Sequence, residues 1–118
     1  MGTFFHPITL VAVGGDSRET VEALVDSGSI FSTFPATMLE RLGVRPQRVV
    51  RLRLANGQVE TRTIGEVSAE LADETATIIC IFGAADAPPI IGAHTLEAFL
   101  LAVDPVGQRL VPVEAYWV

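Results

Sequence analysis

Residues 23–29 read Ala-Leu-Val-Asp-Ser-Gly-Ser, and this stretch is the most informative part of the chain. The apolar run predicts a buried strand, and Asp26-Ser27-Gly28 predicts a tight polar loop where that strand ends. A carboxylate held in a loop beside a hydrophobic core can carry out acid–base chemistry on water. The tripeptide taken alone is also typical of an ordinary solvated turn, because Asp, Ser and Gly are all common turn residues.

Downstream segments extend the pattern. Residues 89–99, Pro-Ile-Ile-Gly-Ala-His-Thr-Leu-Glu-Ala-Phe, predict a short apolar strand, a glycine and a short helix. Between the two lies Leu-Ala-Asn-Gly at 54–57, and Val-Asp-Pro at 103–105 and Arg-Leu-Val-Pro at 109–112 follow. In this order, over nearly the whole chain, the set resembles the retropepsin-like aspartic proteases. The resemblance is closest to their small single-domain bacterial and archaeal members.

Composition limits the class of protein. A length of 118 residues predicts one domain, 1–118, long enough to bury a core. The net charge of −6 argues against nucleic acid and anionic membrane as partners, and no stretch reaches transmembrane length. His6 and His94 lack metal-ligand spacing, so we expect no metal and no other cofactor. The single Cys80 predicts a buried free thiol, with a nucleophile as the alternative, and a free thiol favours a cytoplasmic location.

Short strands separated by close turns predict a small closed β-structure. The resemblance implies an all-β fold, a small closed β-barrel of the retropepsin (acid protease) type with one or two short helices. Gly65 is predicted to form a bulge, and Asn56-Gly57 a two-residue hairpin turn. Helix caps are expected from Ser32 or Thr33 and from Thr95. The predicted strands cover 7–13, 18–25, 30–34, 50–54, 58–71 and 75–82; the helices cover 35–42 and 93–100; a closing hairpin covers 101–113.

The resemblance implies an aspartic endopeptidase with Asp26 as its catalytic carboxylate. Residues 91–93 contain no second Asp, so the resemblance implies a homodimer in which each chain gives one Asp26. Ser27 would then hydrogen-bond across the dimer, and Gly28 would allow the sharp backbone that admits a polypeptide substrate.

Substrate contacts are expected from Ser29 in the same loop, from Ile91 and Gly92 in the second segment, and from Asn56 and Gly57. The last two would lie at the tip of a hairpin that closes over bound peptide, unless this hairpin is a plain surface turn. Asp104 is predicted to start a turn rather than to act as a second catalytic carboxylate.

Two positions depart from the viral members of the family, which pair an Asp and an Arg where this chain has Ile30 and Ala93. A dimer would therefore be held differently, and the closing hairpin and the tail 114–118 are candidates, although the tail could equally fold back on the core. Two alternatives stay open: a non-catalytic peptide-binding module on the same fold, and an unrelated β-barrel.

Overall fold

A computed structural model describes residues 4–118. This part of the chain contains nine strands and two short helices. In chain order they are β1 (Phe5–Val11), β2 (Arg18–Val25), β3 (Ser32–Pro35), α1 (Ala36–Arg41), β4 (Arg48–Arg53), β5 (Val59–Leu71), β6 (Glu74–Gly83), β7 (Ile90–Ile91), α2 (Ala93–Ala98), β8 (Leu101–Asp104) and β9 (Arg109–Pro112). The prediction of a β fold with two short helices is confirmed.

The main sheet closes on itself. Its strand order is β1-β2-β7-β3-β6-β5-β4, and β1 pairs a second time, with β5, from Thr9 opposite Glu70 to Val11 opposite Ser68. Six strands therefore form a ring, and β4 is attached outside it through β5 alone. Strands β8 and β9 form a separate two-stranded sheet.

One hydrophobic core fills the ring. Its largest fully buried members come from β1, β2, β3, α1, β6 and β7 and are less than 2% exposed: Ile8, Leu10, Val25, Phe34, Leu39, Ile78 and Ile91. Cys80 is a member of this core and carries a free thiol. Burial raises the pKa of that thiol to about 12, so it stays protonated at neutral pH, which argues against the nucleophile alternative.

Gly65 does not form the predicted bulge. The register between β5 and β6 is unbroken from Ile64 opposite Ile81 to Leu71 opposite Glu74. The glycine has a different cause, because a Cβ at this position would lie 2.6 Å from the carbonyl oxygen of Arg45. Close packing of the chain that leads into β4 requires Gly65, and no extra residue is inserted in the strand.

The turn between β4 and β5 is longer than the predicted two-residue hairpin. Arg53 and Val59 form the last strand pair, Leu54 N–H donates to Gln58 O at 2.7 Å, and Gly57 N–H donates to Leu54 O at 2.9 Å. Within this turn, only Gly57 has a positive φ, of 88°. This geometry is a three-residue loop that ends in a left-handed glycine.

The expected helix caps are also wrong. Helix α1 begins after Pro35 and α2 after Gly92, and neither has a side-chain cap. Ser32 and Thr95 are instead fully buried and bond to each other.

The β8–β9 turn explains Asp104. Its carboxylate accepts hydrogen bonds from Gly107 N–H at 3.1 Å, from Arg109 Nε at 3.1 Å and from Val106 N–H at 3.2 Å. The Gly107 N–H, followed by the Arg109 side chain, holds the pKa of this carboxyl below its ordinary value. Asp104 therefore has the turn role that the sequence predicts.

The tail beyond β9 does not fold back on the core, since Tyr116 is 100% and Trp117 is 98% exposed. Across residues 4–118, no helix combines the length and the apolar character that crossing a membrane requires.

Candidate active site

Asp26 is the first residue after β2, at the point where the strand leaves the ring. Val25 is fully buried and lies opposite Ile91 in the parallel pairing of β2 with β7. The Asp26 side chain is half-buried, and its backbone N–H donates to Ile91 O at 3.0 Å. The carboxylate therefore stands at the rim of the core, on a backbone fixed by the sheet.

The loop folds tightly around this carboxylate. Gly28 N–H donates to Asp26 Oδ1 at 2.9 Å, and Ser29 N–H donates to Asp26 O at 3.1 Å. A Cβ on Gly28 would lie 3.1 Å from Asp26 Oδ1, so the glycine makes room for the carboxylate. Within residues 4–118, Asp26 Oδ2 accepts no hydrogen bond, and the exposed Ser27 hydroxyl makes none. One carboxylate oxygen is thus held by the loop, and the other is available to a reactant.

The second predicted segment docks directly against this loop. Ala93 N–H donates to Ser29 O at 2.7 Å, and His94 N–H donates to Ile30 O at 2.9 Å. Gly92 is in such close contact that an added Cβ would lie 2.4 Å from Phe31 O and 2.8 Å from Ser29 O. Main-chain bonds therefore join the two segments around Ile30 and Ala93.

Ser32 and Thr95 form a buried polar pair beneath the loop, which the sequence analysis missed. Their hydroxyl oxygens are 2.6 Å apart, and Ser32 Oγ also accepts from Gly92 N–H at 3.0 Å. Both residues are 0% exposed. The pair ties β3 to the start of α2. The sequence signal for this pair is Ser32, a small hydroxyl residue between the aromatic residues Phe31 and Phe34, where the sequence analysis predicts a helix cap.

Replacing Ser32 by Ala is expected to destabilise the protein by about 2 kcal/mol, because the buried Thr95 hydroxyl and Gly92 N–H lose their partner. Chemical denaturation followed by circular dichroism measures the change. Thr95→Val provides the matched control, since it leaves Ser32 bonded to Gly92 N–H and is expected to cost less. Equal stability of wild type and Ser32→Ala would contradict the structural role assigned to this pair.

The hairpin residues Asn56 and Gly57 bond within their own turn. Asn56 and Gly57 lie at the turn beyond the last β4–β5 pair, and Asn56 Oδ1 accepts from Gln58 N–H at 2.9 Å. Within the described chain, no hydrogen bond joins this turn to the loop at Asp26. Main-chain hydrogen bonds and close contacts thus bring the loop of Asp26, Ser27, Gly28 and Ser29 together with Ile91 and Gly92. Asn56 and Gly57 take no part in these bonds.

A metal centre has no ready ligands here. Among residues 4–118, no three His, Cys, Asp or Glu side chains come together in a group that could hold an ion.

Comparison with solved structures identifies proteins that share this fold. The simian foamy virus protease matches with a TM-score of 0.53 and 13% identity, over 78% of this chain and 92% of that one. The retroviral protease-like domain of Ddi1 from Leishmania major matches with a TM-score of 0.58 and 23% identity, over 95% of this chain and 89% of that one. A Legionella pneumophila protein of unknown function matches with a TM-score of 0.60 and 16% identity, over 94% of each chain. At these identities the likeness shows the retropepsin-like fold.

Sequence comparison gives the family. A search of curated proteins finds no match. A family model described as aspartyl protease matches residues 10–92, which include the Asp26 loop, the hairpin and Gly92. Because this match spans well over half of the chain and both halves of the site just described, the chain belongs to the aspartyl protease family.

Proposed function

We propose that this protein is an aspartic endopeptidase that hydrolyses peptide bonds through two Asp26 carboxylates facing each other across a homodimer axis. The observation that carries the proposal is the rigid loop that presents one half-buried carboxylate, with Oδ1 held by Gly28 N–H and Oδ2 left available. The loop is fixed from β7 and α2 by main-chain bonds, as a catalytic group must be if it is to meet a substrate in one geometry.

The chemistry follows from two carboxylates facing one water molecule. Like charges this close cannot both stay ionised, so the pair shares one proton. The ionised carboxylate takes a proton from the water as its oxygen adds to the peptide carbonyl carbon, and the protonated carboxyl donates to the carbonyl oxygen. Collapse of the tetrahedral intermediate breaks the C–N bond, and the amine leaves with a proton from the carboxyl that took one from water. The other carboxylate takes a proton back from a hydroxyl of the intermediate, which leaves a carboxylic acid and restores the shared proton.

A second copy of the chain completes this site. The segment that packs against Asp26 offers Ile91, Gly92 and Ala93, none of which is acidic. A two-fold axis places identical residues opposite each other, so one Asp per chain gives a pair. The Ser27 hydroxyl, exposed in one chain, is available to bond across that axis. Exposed Tyr116 and Trp117 supply aromatic area of the kind enriched at interfaces.

Sedimentation is expected to show a dimer of the 12.6 kDa chain whose population rises with concentration between about 1 μM and 1 mM, the range of weak to moderate affinities. A peptide that mimics the tetrahedral intermediate should shift the equilibrium further toward the dimer, because it binds both halves of the site. A 12.6 kDa monomer at every concentration, with no shift on adding the mimic, would contradict the paired-carboxylate site.

The substrate is an extended polypeptide held between the Asp26 loops and the β4–β5 hairpin, with Ser29, Ile91 and Gly92 on one side and Asn56 and Gly57 at the closing tip. The buried free thiol of Cys80 favours the cytoplasm as the compartment. Cleavage of an unfolded protein or peptide library at mildly acid pH, lost in Asp26→Asn, tests the proposal. Peptide binding without cleavage would instead support the non-catalytic module.

A further inference from the structure

The β4–β5 hairpin has a charge opposite to that of the rest of the chain. All eight basic residues are arginines, and five of them lie between residues 45 and 62, where Glu60 is the single acidic residue. This segment has a net charge of +4 in a chain of net charge −6, so the remaining residues together carry −10. The five are Arg45, Arg48, Arg51, Arg53 and Arg62.

The strand pairing shows which arginines share a face. Arg51 lies opposite Thr61 and Arg53 opposite Val59, and successive side chains alternate between the faces of a strand. The register of β5 is continuous from Val59 to Leu71, so the face that holds Val59 and Thr61 is the one that holds the buried Val67. Arg51 and Arg53 are therefore on the core side of the sheet.

These two arginines are nevertheless exposed, because residues 59–63 of β5 pair with β4 alone and the hairpin extends past the ring. The opposite, outer face carries Arg48, Glu60 and Arg62. The hairpin projects from the ring with two arginines on the inner face of its sheet. It therefore presents positive charge to any molecule bound on that face.

The arginines differ in what they bind within the protein. Arg62 forms an ion pair with Glu60 on the outer face, and Arg53 Nη1 donates to Gly57 O at 2.8 Å. The Arg51 side chain makes no hydrogen bond or ion pair with any residue in 4–118. Exposed Val49, 65% accessible, precedes it on the same inner face. Arg51 is thus a guanidinium with all its donors available, beside an apolar contact.

We propose that Arg51, supported by Arg53, binds the carboxylate of an Asp or Glu side chain in a polypeptide held beneath the hairpin, so that the protein selects acidic peptide segments. The proposal rests on the proposed function for the position of that polypeptide. Guanidinium and carboxylate form paired, charge-assisted hydrogen bonds, whereas Val49 and Thr61 suit the neighbouring backbone and apolar groups of an extended chain. The arginines of the hairpin can pair with one or two peptide carboxylates. A nucleic acid carries a negative phosphate at every nucleotide, and the remaining residues of the protein, with their net charge of −10, would repel it.

Matched peptides that differ only by Glu or Gln near the scissile bond test this inference. In low salt at pH 6, wild type is expected to prefer Glu about fivefold in kcat/KM, the scale of an exposed ion pair with good geometry. Arg51→Gln should remove the preference, and Arg51→Glu should reverse it so that the Gln peptide is preferred. Arg48→Gln, a loss of the same charge on the outer face of the same strand, should leave it intact.

The preference should also depend on pH and salt in a way that a purely structural role of Arg51 does not predict. It should shrink as pH falls through about 4.3, where a peptide Glu becomes neutral, and weaken as salt rises. The same peptides measured for binding to Asp26→Asn report selection without cleavage.

The outcomes separate the two proposals. Cleavage with equal rates for Glu and Gln peptides would overturn the selection of acidic segments and leave the peptidase standing. Arg51-dependent binding of Glu peptides to Asp26→Asn, with no cleavage by wild type, would overturn the peptidase and support the selection. Tighter binding of single-stranded DNA than of acidic peptide, or dissociation of the dimer in Arg51→Gln, would show a different partner for this face and overturn the inference.

Discussion

Asp26→Asn is expected to lower peptide cleavage by at least about a thousandfold, within the range that positioned acid–base groups contribute. An amide neither takes a proton from water nor donates one to the carbonyl oxygen as a carboxyl does. The loop should survive, because the Asn side-chain oxygen can still accept from Gly28 N–H, which now lies 2.9 Å from Asp26 Oδ1. In the dimer the replacement also removes repulsion between facing carboxylates, so the melting temperature should be equal or higher.

Cleavage assays from pH 3 to 8 and thermal melts of the same samples measure both effects. Asp16→Asn is the matched control, since it removes the same charge in the exposed β1–β2 turn. Wild type and Asp16→Asn should give the same pH profile. Full cleavage by Asp26→Asn would remove Asp26 from the mechanism, and an unfolded Asp26→Asn protein would show that the loop depends on the charge itself.

Gly92→Ala is expected to reduce the free energy of unfolding by about 3 kcal/mol, at the upper end of the cost of overpacking. The backbone angles are not the reason, because φ of −96° and ψ of 177° suit any residue. The cost comes from contact, since the new methyl group would lie 2.4 Å from Phe31 O and the atoms it meets, in Ser29 and Phe31, are all main chain. Relief requires the Asp26 loop and α2 to separate, so cleavage should fall as well.

Urea denaturation of Gly92→Ala and Gly14→Ala measures this cost. Gly14 has a φ of 96° and open space around its Cβ position, so Ala there introduces backbone strain of about 1 kcal/mol without a clash. Gly92→Ala measures the cost of contact and Gly14→Ala the cost of backbone strain, and we expect the first to be the larger. Equal losses of stability would mean that the loop moves away from Gly92 at little cost.

Local signals predicted the elements well. Apolar runs ended by turn residues located β2, β6 and both helices to within a few residues, because those patterns depend on neighbours in sequence. The Asp26 loop was predictable for the same reason. Its hydrogen bond between Gly28 N–H and Asp26 Oδ1 joins residues two apart.

Long-range contacts account for what the sequence analysis missed. In the sequence, Gly65 has the pattern of a bulge and Thr95 that of a helix cap. The structure shows instead that Arg45 O packs against Gly65 and that the hydroxyl oxygens of Thr95 and Ser32 are 2.6 Å apart. Both partners are set by how the strands assemble, which no local pattern contains. The inner-face position of Arg51 likewise depends on the register of two strands, although the clustering of arginines was visible in the sequence.

Strand β7 has a consequence for how the protein matures. It is two residues long, yet it lies between β2 and β3 and supplies the acceptor for Asp26 N–H at Ile91. During synthesis, β2 and β3 leave the ribosome more than fifty residues before it and cannot be joined until it arrives. The Asp26 loop therefore takes the shape described here only after residues 90–94 have been made, and until then its carboxylate stands on a backbone that lacks the support of β7 and α2.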